Sequence, residues 1–259
     1  MAKVISVTNQ KGGVGKTTTS INLSAALVKR GKRILLLDMD PQGNASVGLG
    51  VDTEDLDSTI YDVLLTEASA QDAIVKTDSG VDVMTANGDL AGAQVELLNE
   101  IGRELRLKKA LTAVMDNYDF IFIDCPPALN VLTINALVAS DSVMIPMQCE
   151  YFALEGLSAL ISTVRAIRET LNPSLKIEGL LRTMFDKRNS LSGEVSRQLE
   201  THFGNKVYAT IVPRNVRLAE APSYGEPAIS YSPQSKGARA YMLLADEMLK
   251  LASATTAKA

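Results

Sequence analysis

Lys11-Gly12-Gly13-Val14-Gly15-Lys16-Thr17-Thr18 stands between the apolar run Val4-Ile5-Ser6-Val7 and the helix-forming stretch Ser20 to Val28, which Gly31 closes. A buried strand, a glycine loop and a helix in that order make a phosphate-binding loop. Glycines let backbone N–H groups curl around phosphate oxygens without Cβ clashes, and the helix N-terminus adds the positive end of its dipole. In such a loop Lys16 reaches the β- and γ-phosphates and Thr17 offers a hydroxyl to Mg²⁺. The general pattern has glycine where this chain has Gln10, so the loop is a variant with a second lysine, Lys11, just inside it. That extra cation suggests a nucleotide switch that closes by pairing.

Working outward, Arg33 to Asp38, Asp119 to Asp124, Ser142 to Met147 and Ile177 to Leu181 read as apolar strands separated by helical stretches. This rhythm predicts a single-domain α/β fold of the P-loop NTPase kind, a largely parallel twisted sheet with helices on both faces. The clearest helix is predicted from Leu154 to Leu171, where Leu157, Leu160, Ile161, Val164, Ile167 and Leu171 recur on one face as core. Structural signal is weakest from Gly48 to Gly92. No linker divides the chain, so residues 1–252 are expected to form the ATPase domain and 253–259 a flexible tail.

At 259 residues, with 46% hydrophobic and 22% charged side chains, the composition is that of a soluble globular protein. A net charge of −4 argues against a generally cationic nucleic-acid binder but leaves room for a local basic face. Cys125 and Cys149 lie in apolar runs and do not form a C-x-x-C pair, so buried free thiols in a reducing cytoplasm are expected. Neither a signal peptide, a membrane span nor a membrane-binding tail is expected. His202, the single histidine, excludes a histidine-rich metal site or a serine–histidine triad and is assigned no role.

Two predicted strands end in aspartate, and open α/β sheets bind ligands at the carboxyl ends of their strands. Asp38 and Asp124 are therefore expected to face the nucleotide. In Asp38-Met39-Asp40-Pro41-Gln42-Gly43-Asn44 two carboxylates stand two residues apart, so one can order a Mg²⁺ shell while the other orients an attacking water. Asp124, after Phe120-Ile121-Phe122-Ile123 and before Cys125-Pro126-Pro127, has the form of a Walker B acid.

With these motifs and the run Val212-Pro213-Arg214-Asn215-Val216-Arg217-Leu218-Ala219-Glu220-Ala221-Pro222, the chain resembles ParA/Soj-type chromosome-partitioning ATPases of the deviant Walker A class along essentially its whole length. The resemblance implies ATP and Mg²⁺ as cofactors and an ATP-dependent homodimer. It implies that Gly12, Gly13, Val14, Gly15, Lys16, Thr17 and Thr18 hold the phosphates, while Lys11 crosses the dimer interface to those of the opposite subunit, with Gly12 permitting close approach. It further implies that Asp40 positions the hydrolytic water, Asp124 and Thr17 serve Mg²⁺ with Asp38 supporting the metal side, and Met184, Pro213 and Asn215 border adenine. Lys187, Arg188, Arg214 and Arg217, in short basic loops, are the expected contacts to double-stranded DNA, nonspecific in sequence. A ParB-type centromere-binding protein is the implied partner, and the nucleoid the implied location. Two rivals use the same scaffold: a MinD-like membrane-positioning ATPase, and a metabolic enzyme such as an ATP-dependent amide ligase or nitrogenase-type reductase.

Overall fold

The four apolar runs, the run before the glycine loop and three further segments form one eight-stranded sheet in a computed structural model that describes residues 1–54, 56–66 and 68–256. The strands are β1 (Lys3–Val7), β2 (Ile34–Asp38), β3 (Ile74–Lys76), β4 (Asp82–Met84), β5 (Phe120–Asp124), β6 (Ser142–Gln148), β7 (Lys176–Phe185) and β8 (Val207–Pro213). They lie in the order β3-β4-β2-β5-β1-β6-β7-β8, and every neighbouring pair is parallel except the edge pair β3–β4. The helices are α1 (Lys16–Lys29), α2 (Asn44–Val47), α3 (Ile60–Leu65), α4 (Leu90–Glu96), α5 (Arg106–Leu111), α6 (Val131–Ala139), α7 (Ala153–Thr170), α8 (Ser190–Phe203), α9 (Val216–Glu220), α10 (Ala228–Tyr231) and α11 (Lys236–Thr256).

Side-chain alternation explains why both faces are covered. On β5, Phe120 and Phe122 join a core with α1 and α11, through Ile21, Leu23, Leu27, Tyr241 and Leu244. Ile121 and Ile123 point the other way, into a core with α3, α4, α5 and α6 through Ile60, Leu90, Leu107 and Leu132. A parallel strand buried on both faces reads as an unbroken apolar run, which is how these strands were visible in the sequence. β1 lies between β5 and β6, where the crossover connections change direction, and its carboxyl end delivers the glycine loop into that crevice.

Most predicted elements lie within a residue of where they were expected, and the larger differences have physical reasons. The expected helix at 154–171 is found at Ala153–Thr170, with Leu157, Leu160, Val164 and Ile167 buried as predicted. β7 continues past the expected Leu181 to Phe185, and the buried Arg182 in its middle is held by its two terminal nitrogens: Nη1 donates to Ser196 Oγ at 2.8 Å and to Glu200, and Nη2 donates to Tyr208 O at 2.6 Å, while Nε has no partner among the described residues. α11 runs on to Thr256, so the expected domain boundary at 252 falls inside a helix, and residues 257–259 lie outside those described. The quiet stretch from Gly48 to Gly92 holds α3, β3, β4 and the start of α4, elements too short for a periodic signal. α3 is nonetheless well capped: Thr59 Oγ1 accepts from Tyr61 N at 3.2 Å, and Asp62 Oδ2 accepts from Thr59 N at 2.8 Å.

Gly179 lies on β7 against the ring of Tyr208 on β8, and an added Cβ would meet the ring at 2.4 Å. Gly179→Ala should destabilise the protein by about 1–3 kcal/mol through overpacking, read as a lowered denaturation midpoint with an unchanged m-value.

Candidate nucleotide site

The loop after β1 is anchored before it reaches its glycines. Asn9 Nδ2 donates to Pro146 O at 2.8 Å, and Asn9 Oδ1 accepts from Lys11 N at 3.0 Å. Gly13 and Gly15 then take φ of +70° and +85°, the left-handed region that glycine enters without a Cβ penalty. Lys16 opens α1, and its buried ammonium donates to Lys11 O at 3.2 Å. Burial lowers its pKa, opposed by the nearby Asp124 carboxylate. A cation held in this way, under a concave turn of backbone N–H groups at the start of a helix, fits a polyphosphate.

Asp124 faces this loop from the end of β5. Thr17 Oγ1 donates to its Oδ2 at 2.7 Å, while Ser20 Oγ lies 2.9 Å from Oδ1 and 3.0 Å from Lys16 O. Asp38, its register partner on β2, is also fully buried. Burial pushes the Asp38 carboxyl up to about 6 and, with Asp38 beside it, that of Asp124 up to about 7. A buried carboxylate beside a buried lysine, with a second buried carboxylate at its register position, suits a hard divalent cation with oxygen ligands, and Thr17 and Asp124 carry oxygens of the kind such an ion takes. Both Asp38 oxygens already accept hydrogen bonds from the chain: Oδ2 from Ala45 N, Ser46 N and Ser46 Oγ at 2.9 to 3.0 Å, and Oδ1 from Asp40 N at 3.2 Å. Asp40 is half-buried on the loop that follows, where Gln42 N donates to its Oδ1 at 3.1 Å.

Lys11 takes a different course from Lys16. Its ammonium lies 2.5 Å from Glu150 Oε2 beyond the end of β6, in an ion pair whose side chains are each about half exposed. Beyond its chain neighbours, a Cβ added to Gly12 would meet nothing within 4 Å.

Beside Gly15 and Thr18 opens a cavity of about 340 Å³ between the ends of β7 and β8, lined by Met184, Val212, Pro213 and Asn215 among others. The three residues expected to border a base therefore share one pocket next to the phosphate loop. Met184 holds φ of +47°, the one non-glycine residue with positive φ among the described residues. Gln148 Nε2 donates to its Sδ at 2.8 Å, and the preceding Thr183 Oγ1 donates to Val14 O at 2.7 Å, tying the pocket wall to the phosphate loop. Asn215 caps α9 by accepting from Arg217 N at 3.0 Å. Sequence reasoning missed Asn9, Ser46, Gln148, Glu150 and Thr183. Each acts through a partner remote in the chain or through a backbone group, which leaves no local pattern.

The basic residues expected on DNA follow β7 and β8, neighbours at one edge of the sheet, where Arg214 N donates to Phe185 O at 3.4 Å. Lys187, Arg188, Arg214 and Arg217 are exposed. Arg188 is forked by Asp186 at 2.9 and 3.0 Å, Arg217 pairs with Glu220 at 2.6 Å, and Arg214 also lines the cavity at Met184. His202 sits in the last turn of α8, where Nδ1 lies 2.7 Å from Gln198 O, away from the site. Both cysteines are buried and free.

A family model described as an AAA domain matches residues 2–177. The sporulation initiation inhibitor protein Soj of Bacillus subtilis is 56% identical over 249 residues, covering 96% of this chain and 98% of the relative. The chain belongs to the ParA/Soj family. ParA/Soj kinship extends to the chromosome partitioning protein ParA of Caulobacter vibrioides, 50% identical over 260 residues that cover 99% of this chain and 97% of that protein. Among solved structures, cobyrinic acid a,c-diamide synthase from Mycobacterium smegmatis, with bound ATP analogue and magnesium, superposes with a TM-score of 0.85 at 39% identity, covering 96% and 95% of the two chains. The ParA/Soj fold of this chain is thus that of a P-loop NTPase, as its sequence predicts.

The buried acids set a pH dependence. Their folded pKa values lie above the unfolded carboxylate range, so the folded state binds the extra protons between about pH 4 and 7, and their stabilising effect is lost as pH rises through the folded values. Without nucleotide or metal, the melting temperature should fall from about pH 5 to about pH 8. Asp124→Asn should flatten that slope, as followed by calorimetry.

Proposed function

We propose that this protein is an ATP-dependent DNA-partitioning switch: ATP closes two copies into a sandwich dimer, the dimer binds double-stranded DNA without sequence preference, and hydrolysis releases it. A ParB-type centromere-binding protein stimulates that hydrolysis, and the complex works on the nucleoid in the cytoplasm. The observation that carries this reading is the division of labour between the two lysines. Lys16 is buried under its own loop, whereas Lys11 leaves that loop for an exposed carboxylate from which a second subunit's phosphates can draw it.

Gly13, Val14, Gly15, Lys16, Thr17 and Thr18 hold the triphosphate, with the base between Met184, Pro213 and Asn215. Bound Mg²⁺ supplies neutralisation of charge on the β- and γ-phosphate oxygens. Thr17 and Asp124 hold it, and Asp38 supports that side of the site. Asp40 orients the attacking water, and Lys11 of the opposing copy adds positive charge where charge builds on the transferred group. DNA contact falls to Arg188 and Arg217, with Lys187 and Arg214 beside them. Their exposed pairs with Asp186 and Glu220 are weak enough to exchange for phosphate.

An amide-ligase reading has one supporting observation, the likeness to the Mycobacterium smegmatis synthase, but at 39% identity against 56% and 50% for the two partitioning relatives. Turnover stimulated by DNA plus partner, and not by a small metabolite, separates the two. For the MinD-like rival, no helix among the described residues is long and apolar enough to cross a membrane, and co-sedimentation with liposomes in ATP tests peripheral attachment.

Because open space surrounds Gly12, Gly12→Val should leave the melting temperature of the single chain unchanged while blocking ATP-dependent pairing. Lys11→Ala should weaken pairing as well. Wild-type dimers of both variants in sedimentation with ATP would refute the sandwich.

Arg217→Ala should lower affinity for any duplex and reduce the slope of log K against log salt by about 0.9 for each phosphate that the protein no longer neutralises. An unchanged slope in a fluorescence titration takes Arg217 off the DNA face.

A further inference from the structure

Ser46 has no part in the chemistry proposed for the site, yet it is fully buried and its hydroxyl is used in both directions. Its Oγ donates to Asp38 Oδ2 at 2.9 Å and accepts from Ala86 N at 3.2 Å. Its own N–H donates to the same carboxylate oxygen at 2.9 Å, and Ala45 N adds a third hydrogen bond at 3.0 Å. The other oxygen of Asp38 accepts from Asp40 N at 3.2 Å. The short segment that carries Asp40 is therefore hung at both ends on one buried carboxylate. Ser46 in turn fastens that carboxylate to the turn after β4.

The same turn limits the segment sterically. Gly43, at φ +62°, lies against the Ala86 carbonyl so closely that an added Cβ would meet the oxygen at 2.8 Å. Gly43 N donates to Asp40 O at 2.9 Å, closing the loop on itself. Residues 40–46 thus meet the turn at two places, the Gly43 backbone and the Ser46 hydroxyl, and Asp40 heads the segment that these contacts hold.

We propose that Ser46 is a positioning residue for ATP hydrolysis: its hydroxyl, bridging Asp38 and the Ala86 N–H, holds the Asp40 carboxylate at the distance from the γ-phosphate at which it orients the attacking water. The proposal rests on the reading of Asp40 as the water-orienting acid. It also gives Asp38 a supporting task, since three donors fill one of its oxygens and the backbone of Asp40 engages the other. A group that places the nucleophile without touching the phosphates changes the rate of the bound complex and leaves nucleotide affinity alone.

The test is steady-state turnover of the full chain carrying Ser46→Ala, Asp40→Ala or both, with ATP affinity and Mg²⁺ half-saturation measured on each. Ser46→Ala should lower kcat about tenfold, with ATP affinity and Mg²⁺ half-saturation within about twofold of the parent. In the Asp40→Ala background the serine substitution should produce no further loss, because it acts through the group already removed. Ser46→Cys, of similar shape with a weaker hydrogen-bonding group, should give an intermediate kcat and serves if the alanine variant is too unstable to assay. A parental kcat in Ser46→Ala, a loss confined to ATP affinity, or an undiminished loss in the double variant would overturn the proposal. Parental turnover in Asp40→Ala alone would instead overturn the reading of Asp40, so the two failures are distinguishable.

Discussion

The hydrogen bond between Thr17 Oγ1 and Asp124 Oδ2 joins the two halves of the site. Thr17 belongs to the helix that the glycine loop launches, and Asp124 ends the neighbouring strand. Backbone bonds lock the same corner: Met39 N donates to Asp124 O at 2.9 Å, and Cys125 N donates to Val7 O at 3.2 Å, so the ends of β1, β2 and β5 are held level. A carboxylate with no exposed surface is costly to ionise in an apolar sheet, and hydroxyl donors offset only part of that cost. The corner is consequently built for a positive charge that its own side chains supply only through Lys16. A phosphate-bound divalent ion has the charge to fill the deficit.

From this corner the remaining parts of the site follow by short links. Thr183 fastens the wall of the cavity at Met184 to Val14 of the glycine loop, so the cavity and the loop belong to one connected piece of backbone. The positive φ of Met184 stores strain beside the pocket, and strain of this kind persists where neighbouring bonds over-determine the conformation, here those of Thr183 and Gln148. Asp38 connects the corner to the Asp40 loop on the other side.

The sequence carried the central strands, the glycine loop and the acids at the strand ends because each has a short, dense local cause: an unbroken apolar run for burial on both faces, glycines for left-handed turns, a carboxylate where a strand stops. The short elements between Gly48 and Gly92 were hidden, since three-residue strands such as β3 show no period. The second half of β7 was hidden by Arg182, a charge that reads as surface until the backbone oxygen and side chains that bind its terminal nitrogens come together from α8 and β8. Lys11, Asp40 and the basic loops were readable as residue types. The pairing of Lys11 with Glu150 and of Ser46 with Asp38 was not, because hydrogen bonds between separate segments leave no spacing to find.

The contrast between the two lysines also bears on how firmly each is held. A buried amine that loses its partner leaves an unpaired charge in a poor dielectric, at a cost of several kcal/mol, so Lys16 is a fixed part of the loop. An exposed ion pair contributes about 0–1 kcal/mol and is screened by salt. The Lys11–Glu150 pair, about half exposed on each side, belongs to the second kind. An equilibrium held by so little moves in response to a ligand whose affinities for the two states differ by only a few kcal/mol, well within what one additional ammonium on a polyphosphate provides. Were Glu150 buried, breaking the same pair would leave an uncompensated charge, and Lys11 would be held to its own chain as firmly as Lys16 is.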